Sequence, residues 1–423
     1  MKGLFRAAVI ASIICVGGGA KDLLPEEDSL IMQGLVQDEA SNFRSAQEVF
    51  MRLYQLTGRP EYLVQAAKEA MMPGGDPGKL IPVLRKWVDT HAKAGEDLAP
   101  VRLLVALYAK QGDLQSAEPL ADRWLARSGN PVDLKLAATV KSDLGKNEEA
   151  VKLLEKAYRK SDEEKYLLDE VALLEKRLKD RKRAIRLLES RLRMNPDSSV
   201  AIYFKLIELY AKENDLKKVQ KLYEKLYEKN PENYILQKII KLALYTRDFA
   251  SLTRFLEKHP SGNEELLYML YKEQNRYDKA IRLAHRRYEE TGKPRWLAEE
   301  AILSYEKARA EHKVTPKLLK RFRALFEKAL KEGADEGLYL NYYGYTLIDH
   351  DLDVARGLEL VRRALKQQPD NAYYLDSLAW GLYKEGQCAE AARVMQKVIA
   401  GEGLREPEIK MHWESIQKCL EKR

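Results

Sequence analysis

Cysteine is nearly absent from this chain, at three in 423 residues. That is too few for a disulfide scaffold. Neither C-x-x-C nor a cysteine beside a histidine pair occurs, which removes the common zinc and redox motifs. Glycine (23) and proline (15) are sparse, so long structureless linkers are not expected. Phenylalanine is scarce at 8, while tyrosine reaches 23. No uninterrupted basic arm exists, although the formal net charge is +8. Acidic residues are interleaved nearly everywhere, so the charge reads as solvated helix faces and not as a nucleic-acid surface. No segment keeps the alternation of a half-buried strand.

Catalytic motifs are missing too. The six histidines are His91, His259, His285, His312, His350 and His412. None lies in H-E-x-x-H, and no two stand one turn apart on a helix. Neither G-x-x-x-x-G-K-[ST] nor G-x-S-x-G appears. No cofactor or metal is expected, and the chain reads as non-enzymatic. The rival reading is an enzyme whose site is built from carboxylates converging across a groove.

The N-terminus has the three parts of a secretory signal over residues 1–20. Lys2 and Arg6 give the basic region, Ala7 to Val16 the apolar region, and Gly18-Gly19-Ala20 the small cleavage residues. The apolar stretch is too short to span a bilayer, which takes roughly 20 residues. Removal of Lys2 and Arg6 leaves a net charge of +6. The alternative is lipidation at Cys15, although Ile14 and Ser12 depart from the usual lipoprotein signal. Either route exports the protein, and a periplasmic location is expected, with membrane attachment only if Cys15 is lipidated.

What is present is a recurring helical pattern. From Asn371 to Ile399 two helices fit around a turn at Gly386. Leu375, Leu378, Ala379 and Leu382 share one face of the first. Ala391, Met395 and Val398 share one face of the second. Small residues at Ala379 and Ala391 let the helices approach closely. Gly344 lies 35 residues before Ala379. Further back, Ala138 and Ala172 lie 34 apart, as do Ala150 and Ala184. Val105, Tyr108, Gly112 and Ala117 mark another copy, and Ala46, Phe50 and Leu53 an early one. This pattern resembles the tetratricopeptide repeat, a helical hairpin that buries its apolar face only against copies of itself.

The expected fold is all-α: a solenoid of about eleven helix pairs and a C-terminal capping helix. A right-handed superhelix follows from the resemblance, since periodicity shows pairs and not hand. Central repeats fill 21–260, degenerate ones 261–336, the best-matching pair 337–400 and the cap 401–423. In the unit from Glu61 to Thr90, Pro82 predicts a helix that is kinked or starts late.

Stacked hairpins leave a face lined by first helices, which suits binding of a protein partner. In the last two full repeats its outward positions are Asn341, Tyr345, Tyr373, Asp376, Trp380 and Tyr383. Aromatic, amide and carboxylate groups of this kind suit an extended peptide or a partner's helix. Trp380 and Tyr383 are equally compatible with packing on the neighbouring repeat. Cys388 starts a second helix and Cys419 nears the end of the next. Antiparallel neighbours bring those ends together, so a disulfide is expected, the alternative being two separate thiols.

A narrower resemblance rests on Leu340 to Leu347 (LNYYGYTL), Asp370-Asn371 and Leu375 to Tyr383 (LDSLAWGLY). These are similar to the C-terminal signature of a group of exported proteobacterial tetratricopeptide proteins. The early run Leu56 to Pro60 (LTGRP), with Glu61-Tyr62 and Ala66 to Ala70, resembles the same group. Its members include outer-membrane lipoproteins that deliver substrates to a periplasmic carboxyl-terminal processing protease. The resemblance implies a protein-binding adaptor or scaffold in the cell envelope, its partner such a protease or an assembly component. The runner-up reading is a part in a machine exporting polysaccharide or protein. Ile14 and Ser12 set this chain apart from the lipoprotein members.

Overall fold

The computed structural model describes residues 26–421, apart from 94–96 and 261. The signal segment 1–20 and Cys15 lie outside the described residues. Helices make up the described structure, and no strand occurs among the described residues. The chain divides into two compact units at Leu236/Gln237.

The first unit is a run of hairpins. They are α1 (Glu27–Glu39) with α2 (Phe43–Thr57), α3 (Pro60–Met71) with α4 (Pro77–His91), and α5 (Ala99–Gln111) with α6. Helix α6 starts as Leu114–Leu120, passes through a π-helical turn at Ala121–Leu125 and ends as Ala126–Ser128. Then come α7 (Pro131–Asp143) with α8 (Asn147–Ser161), α9 (Glu164–Lys176) with α10 (Arg181–Met194), and α11 (Val200–Lys212) with α12 (Leu216–Lys229). Helix α13 (Asn233–Thr246) carries the boundary between the units and is followed by α14 (Phe249–Lys258). The second unit continues with α15 (Glu264–Glu273) and α16 (Tyr277–Thr291), then α17 (Arg295–Ala310) and α18 (Pro316–Lys331). Helices α19 (Gly337–Asp349) and α20 (Val354–Gln367), then α21 (Ala372–Lys384) and α22 (Cys388–Glu402), complete the pairs. Helix α23 (Pro407–Glu421) closes the chain. The fold is therefore an all-α array of tetratricopeptide-type hairpins, eleven of them plus the closing helix among the described residues.

Four of the hairpin turns share one chemistry: a residue with positive φ ends the first helix, and an aspartate caps the second. Gly112, Lys179, Asn214 and Arg247 take φ between 54 and 78°. The aspartate that follows each one accepts a backbone N–H three residues on: Asp113 from Ser116, Asp180 from Arg183, Asp215 from Lys218 and Asp248 from Ser251. Such a cap satisfies donors that a helix start leaves orphaned. Thr315 caps α18 in the same way, accepting from Leu318 at 3.2 Å, with Pro316 in the first turn.

Each hairpin buries a stripe of apolar side chains between its helices and against the next pair. In the first unit Leu63, Leu84, Leu104, Leu107 and Leu125 are fully buried. In the second unit Phe322, Phe326 and Tyr343 stack in one cluster, with Phe326 and Tyr343 at 4.9 Å and 6°. Burial of this kind is worth roughly 1.5–3 kcal/mol for each large side chain. Helix α4 starts at Pro77 and runs on through Pro82 to His91, burying Leu80, Ile81, Leu84 and Val88. At the α19/α20 crossing the two helices meet main chain to main chain. A Cβ on Gly357 would stand 2.6 Å from the Gly344 carbonyl oxygen, so neither glycine has room for a side chain. In the first unit Lys141 is 5% exposed and gathers Glu118 at 2.6 Å, Asp122 at 2.8 Å and Glu149 at 3.2 Å, which ties α6, α7 and α8.

Candidate functional site

The six outward positions read from the last two full repeats do not share one environment. Tyr373 is 63% exposed at the start of α21. Asp376 and Trp380, on the same helix, are buried. Asn341, Tyr345 and Tyr383 are half-buried. The buried pair lies under α23. His412 of α23 has no exposed surface and sits with Nδ1 3.0 Å from both carboxylate oxygens of Asp376. Its ring stacks on Trp380 at 4.2 Å and 19°, and Trp380 stacks in turn on Tyr383 at 4.9 Å. The Trp380 indole N–H donates to Asp349 Oδ1 at 3.2 Å. The Tyr345 hydroxyl donates to Glu408 Oε1 at 2.5 Å and lies 3.4 Å from His412 Nε2. Burial first, and Glu408 second, push the Tyr345 phenol well above its ordinary value. Arg309 of α17 stands 3.9 Å from Glu408. Helix α23 thus lies across the faces of α17, α19 and α21. Cys388 and Cys419 are disulfide-bonded with their Cα atoms 5.9 Å apart, which ties α23 to α22.

The chain Asp376–His412–Tyr345–Glu408 has the residue types of a proton relay. It has no room for a substrate, because His412 is sealed and the Tyr345 hydroxyl is already engaged. Its function in the fold is to hold α23. Among the described residues no cluster of three His, Cys, Asp or Glu has the geometry to hold a metal ion. Among them, too, no helix is long and apolar enough to cross a membrane.

Tyrosines behave alike elsewhere. Tyr268 and Tyr339 both donate to Glu299, Tyr342 donates to Glu306, and Tyr343 donates to Glu327. In the first unit Tyr62 donates to Glu27 and Tyr210 to Glu189. Burial, with the adjacent carboxylate second, raises the Tyr62 phenol to about 12. These hydroxyls bond helix to helix.

An open cleft exists in the first unit that sequence reading did not single out. It lies between the first helices α7 and α9, has a volume of about 240 Å³, and is floored by Ala138, Ala172, Leu154 and Leu173. Lys135 and Asp169 pair across it at 2.6 Å. Thr139, Ser142, Asp143, Lys176 and Arg177 complete the lining. Ala138 and Ala172 are the residues whose 34-residue spacing reveals the repeat. The signal was therefore present: two small side chains at equivalent positions of neighbouring first helices leave a gap. A second cleft of about 290 Å³ lies between α15 and α16, lined by Leu267, Tyr271, Lys279, Arg282, Leu283 and Arg286.

No family model matches the chain. A curated TPR repeat-containing protein of Pseudomonas aeruginosa is 35% identical over 65 residues, or 15% of this chain. The chain is similar to tetratricopeptide-repeat proteins. It spans 11% of the length of that curated relative. Among solved structures, the APC/C hetero-tetramer Cut9–Hcn1 is similar over 93% of this chain and 96% of its own, at 12% identity and a TM-score of 0.31. Naa15/Naa10 bound to HypK-THB is similar over 85% of this chain and 67% of its own, at 14% identity and a TM-score of 0.35. The TPR2AB domain of yeast Sti1 in a pHSP90 complex is similar over 68% of this chain and 98% of its own, at 14% identity and a TM-score of 0.28. The hairpin architecture stands on the chain's own geometry.

Proposed function

We propose that the protein is a non-enzymatic scaffold of the bacterial cell envelope that holds protein partners on the face built from its first helices. The observation that carries this reading is the α7/α9 cleft, which opens between consecutive first helices and is lined by apolar and charged groups without a reacting centre. The secretory features of residues 1–20 support export to the periplasm. The resemblance of LNYYGYTL and LDSLAWGLY to exported proteobacterial proteins supports an adaptor role, with a carboxyl-terminal processing protease or an assembly component as partner.

The test is site-specific photocrosslinking in the native envelope. A crosslinking residue is placed at Thr139, Tyr245 or Tyr373 on first helices, and at Lys221 on α12 as the comparison. Protein adducts from any first-helix site support the reading. Adducts from Lys221 alone, or a metabolite that stays bound to the purified protein with no protein adduct, overturn it.

A further inference from the structure

The α7/α9 cleft has a chemistry that selects its occupant, and the argument rests on the protein-binding reading above. Its floor is apolar, made by Ala138, Ala172, Leu154 and Leu173, and its volume of about 240 Å³ is on the scale of a side chain. The Lys135–Asp169 pair neutralises itself at 2.6 Å. The other charged groups in the lining are Asp143, Lys176 and Arg177, each on an exposed stretch of α7 or the end of α9. None of these three forms an ion pair among the described residues. Two cations against one carboxylate leave the rim with an excess of positive charge. An apolar floor beside that excess fits a ligand that is apolar at one position and acidic at the next.

We infer that this cleft anchors an extended segment of a protein partner by an aliphatic side chain, with a flanking Asp or Glu at the Lys176/Arg177 rim. The floor supplies affinity, because filling it removes apolar surface of both partners from water. The rim supplies selectivity, because an acid next to the apolar side chain reaches the cations and a base there is repelled. The floor is held by α7, α8 and α9 together and the cations stand at the end of α9, so the cleft is present before its ligand arrives.

The experiment uses the full mature chain and four labelled peptides in a Gly-Ser host, carrying Leu-Glu, Ala-Glu, Leu-Lys or Leu-Ser at the centre. Fluorescence anisotropy is read up to about 1 mM protein, the weak end of specific binding. The expected result is that Leu-Glu binds tightest and that Ala-Glu and Leu-Lys each bind about tenfold weaker. Ala172→Leu, which fills the cleft, abolishes binding while leaving the helical circular dichroism unchanged. The double variant Lys176→Glu and Arg177→Glu reverses the order, so that Leu-Lys exceeds Leu-Glu. Such a reversal is not produced by loss of folding. Equal affinity for all four peptides, no binding by any, or an unchanged order in the charge-reversed variant overturns the inference. Protein adducts at Tyr245 or Tyr373 in the native envelope would then leave the scaffold reading standing without it.

Discussion

Burial of Glu170 gives the first unit a built-in pH dependence. The side chain is 1% exposed, and its Oε2 has no hydrogen-bond partner. Desolvation, with the Glu155 charge adding to it, raises its carboxyl from 4.5 to about 7, against a smaller opposing pull from Arg183 and Arg159. A carboxyl whose folded value is raised keeps its proton in the folded chain after the unfolded chain has lost it. Stability therefore falls as pH rises from 4.5 to about 7 and stays low above that. The shift corresponds to roughly 3 kcal/mol. Glu170→Gln should raise the melting temperature at pH 8 by several degrees and change it little at pH 4.5, read by circular dichroism. An equal effect at both values would exclude the titration. The tyrosines carry the lesson in legibility at this scale. A tyrosine suits a half-exposed contact surface, yet Tyr62, Tyr268 and Tyr342 bond Glu27, Glu299 and Glu306, which lie 35, 31 and 36 residues away. A hydroxyl and a carboxylate about one repeat apart were visible in the sequence as a pair. Their meaning was not, because either residue alone is a common surface group.

Helix α23 decides what the C-terminal hairpins present. Periodicity identifies Trp380 as facing outward from its own hairpin. It cannot show that a helix arriving some 30 residues later lies on that face, and His412 stacked on Trp380 is the result. Trp380→Ala should therefore destabilise the second unit by about 3–5 kcal/mol, as expected for a buried aromatic, and urea unfolding measures it. Loss of partner binding in that variant would not mark a contact residue. The Cys388–Cys419 bond closes a loop with a sequence separation of 31, which constrains the unfolded chain by about 3–4 kcal/mol. The double Cys→Ser variant should show faster amide exchange over 407–421 and unchanged exchange in α19, measured by mass spectrometry. Protection of 407–421 equal to that of the oxidised protein would show that His412 and Asp376 suffice to hold the helix. The α19/α20 crossing offers a separate test. Gly357→Ala places a methyl against a carbonyl oxygen and should cost about 1–3 kcal/mol, again by urea unfolding.

At the scale of the molecule, the hairpins were legible because one pattern recurs at 34 or 35 residues, and repetition averages out local exceptions. The turn at Arg247-Asp248 separates α13 from α14, and Thr315 caps α18. The candidate site was less legible. It depends on which first helices are covered and which stand apart, and both are properties of neighbours. In an array each unit is held only by those beside it, so opening begins where contacts are fewest. In the second unit α14 and α15 are the short helices, ten residues each, and Arg247 and Lys258 are exposed beside them. Limited trypsin digestion should cut at Arg247 or Lys258 before any site in α19 to α22. First cuts within 337–402 would contradict this ordering.

Where α19 crosses α20, main chain rests on main chain at Gly344 and Gly357. No side chain lies between them to act as a bearing, so those two helices cannot slide past each other without losing contact altogether. A pulling force on the second unit would unravel residues 247–273 while this joint still held, and the joint would then fail abruptly instead of creeping.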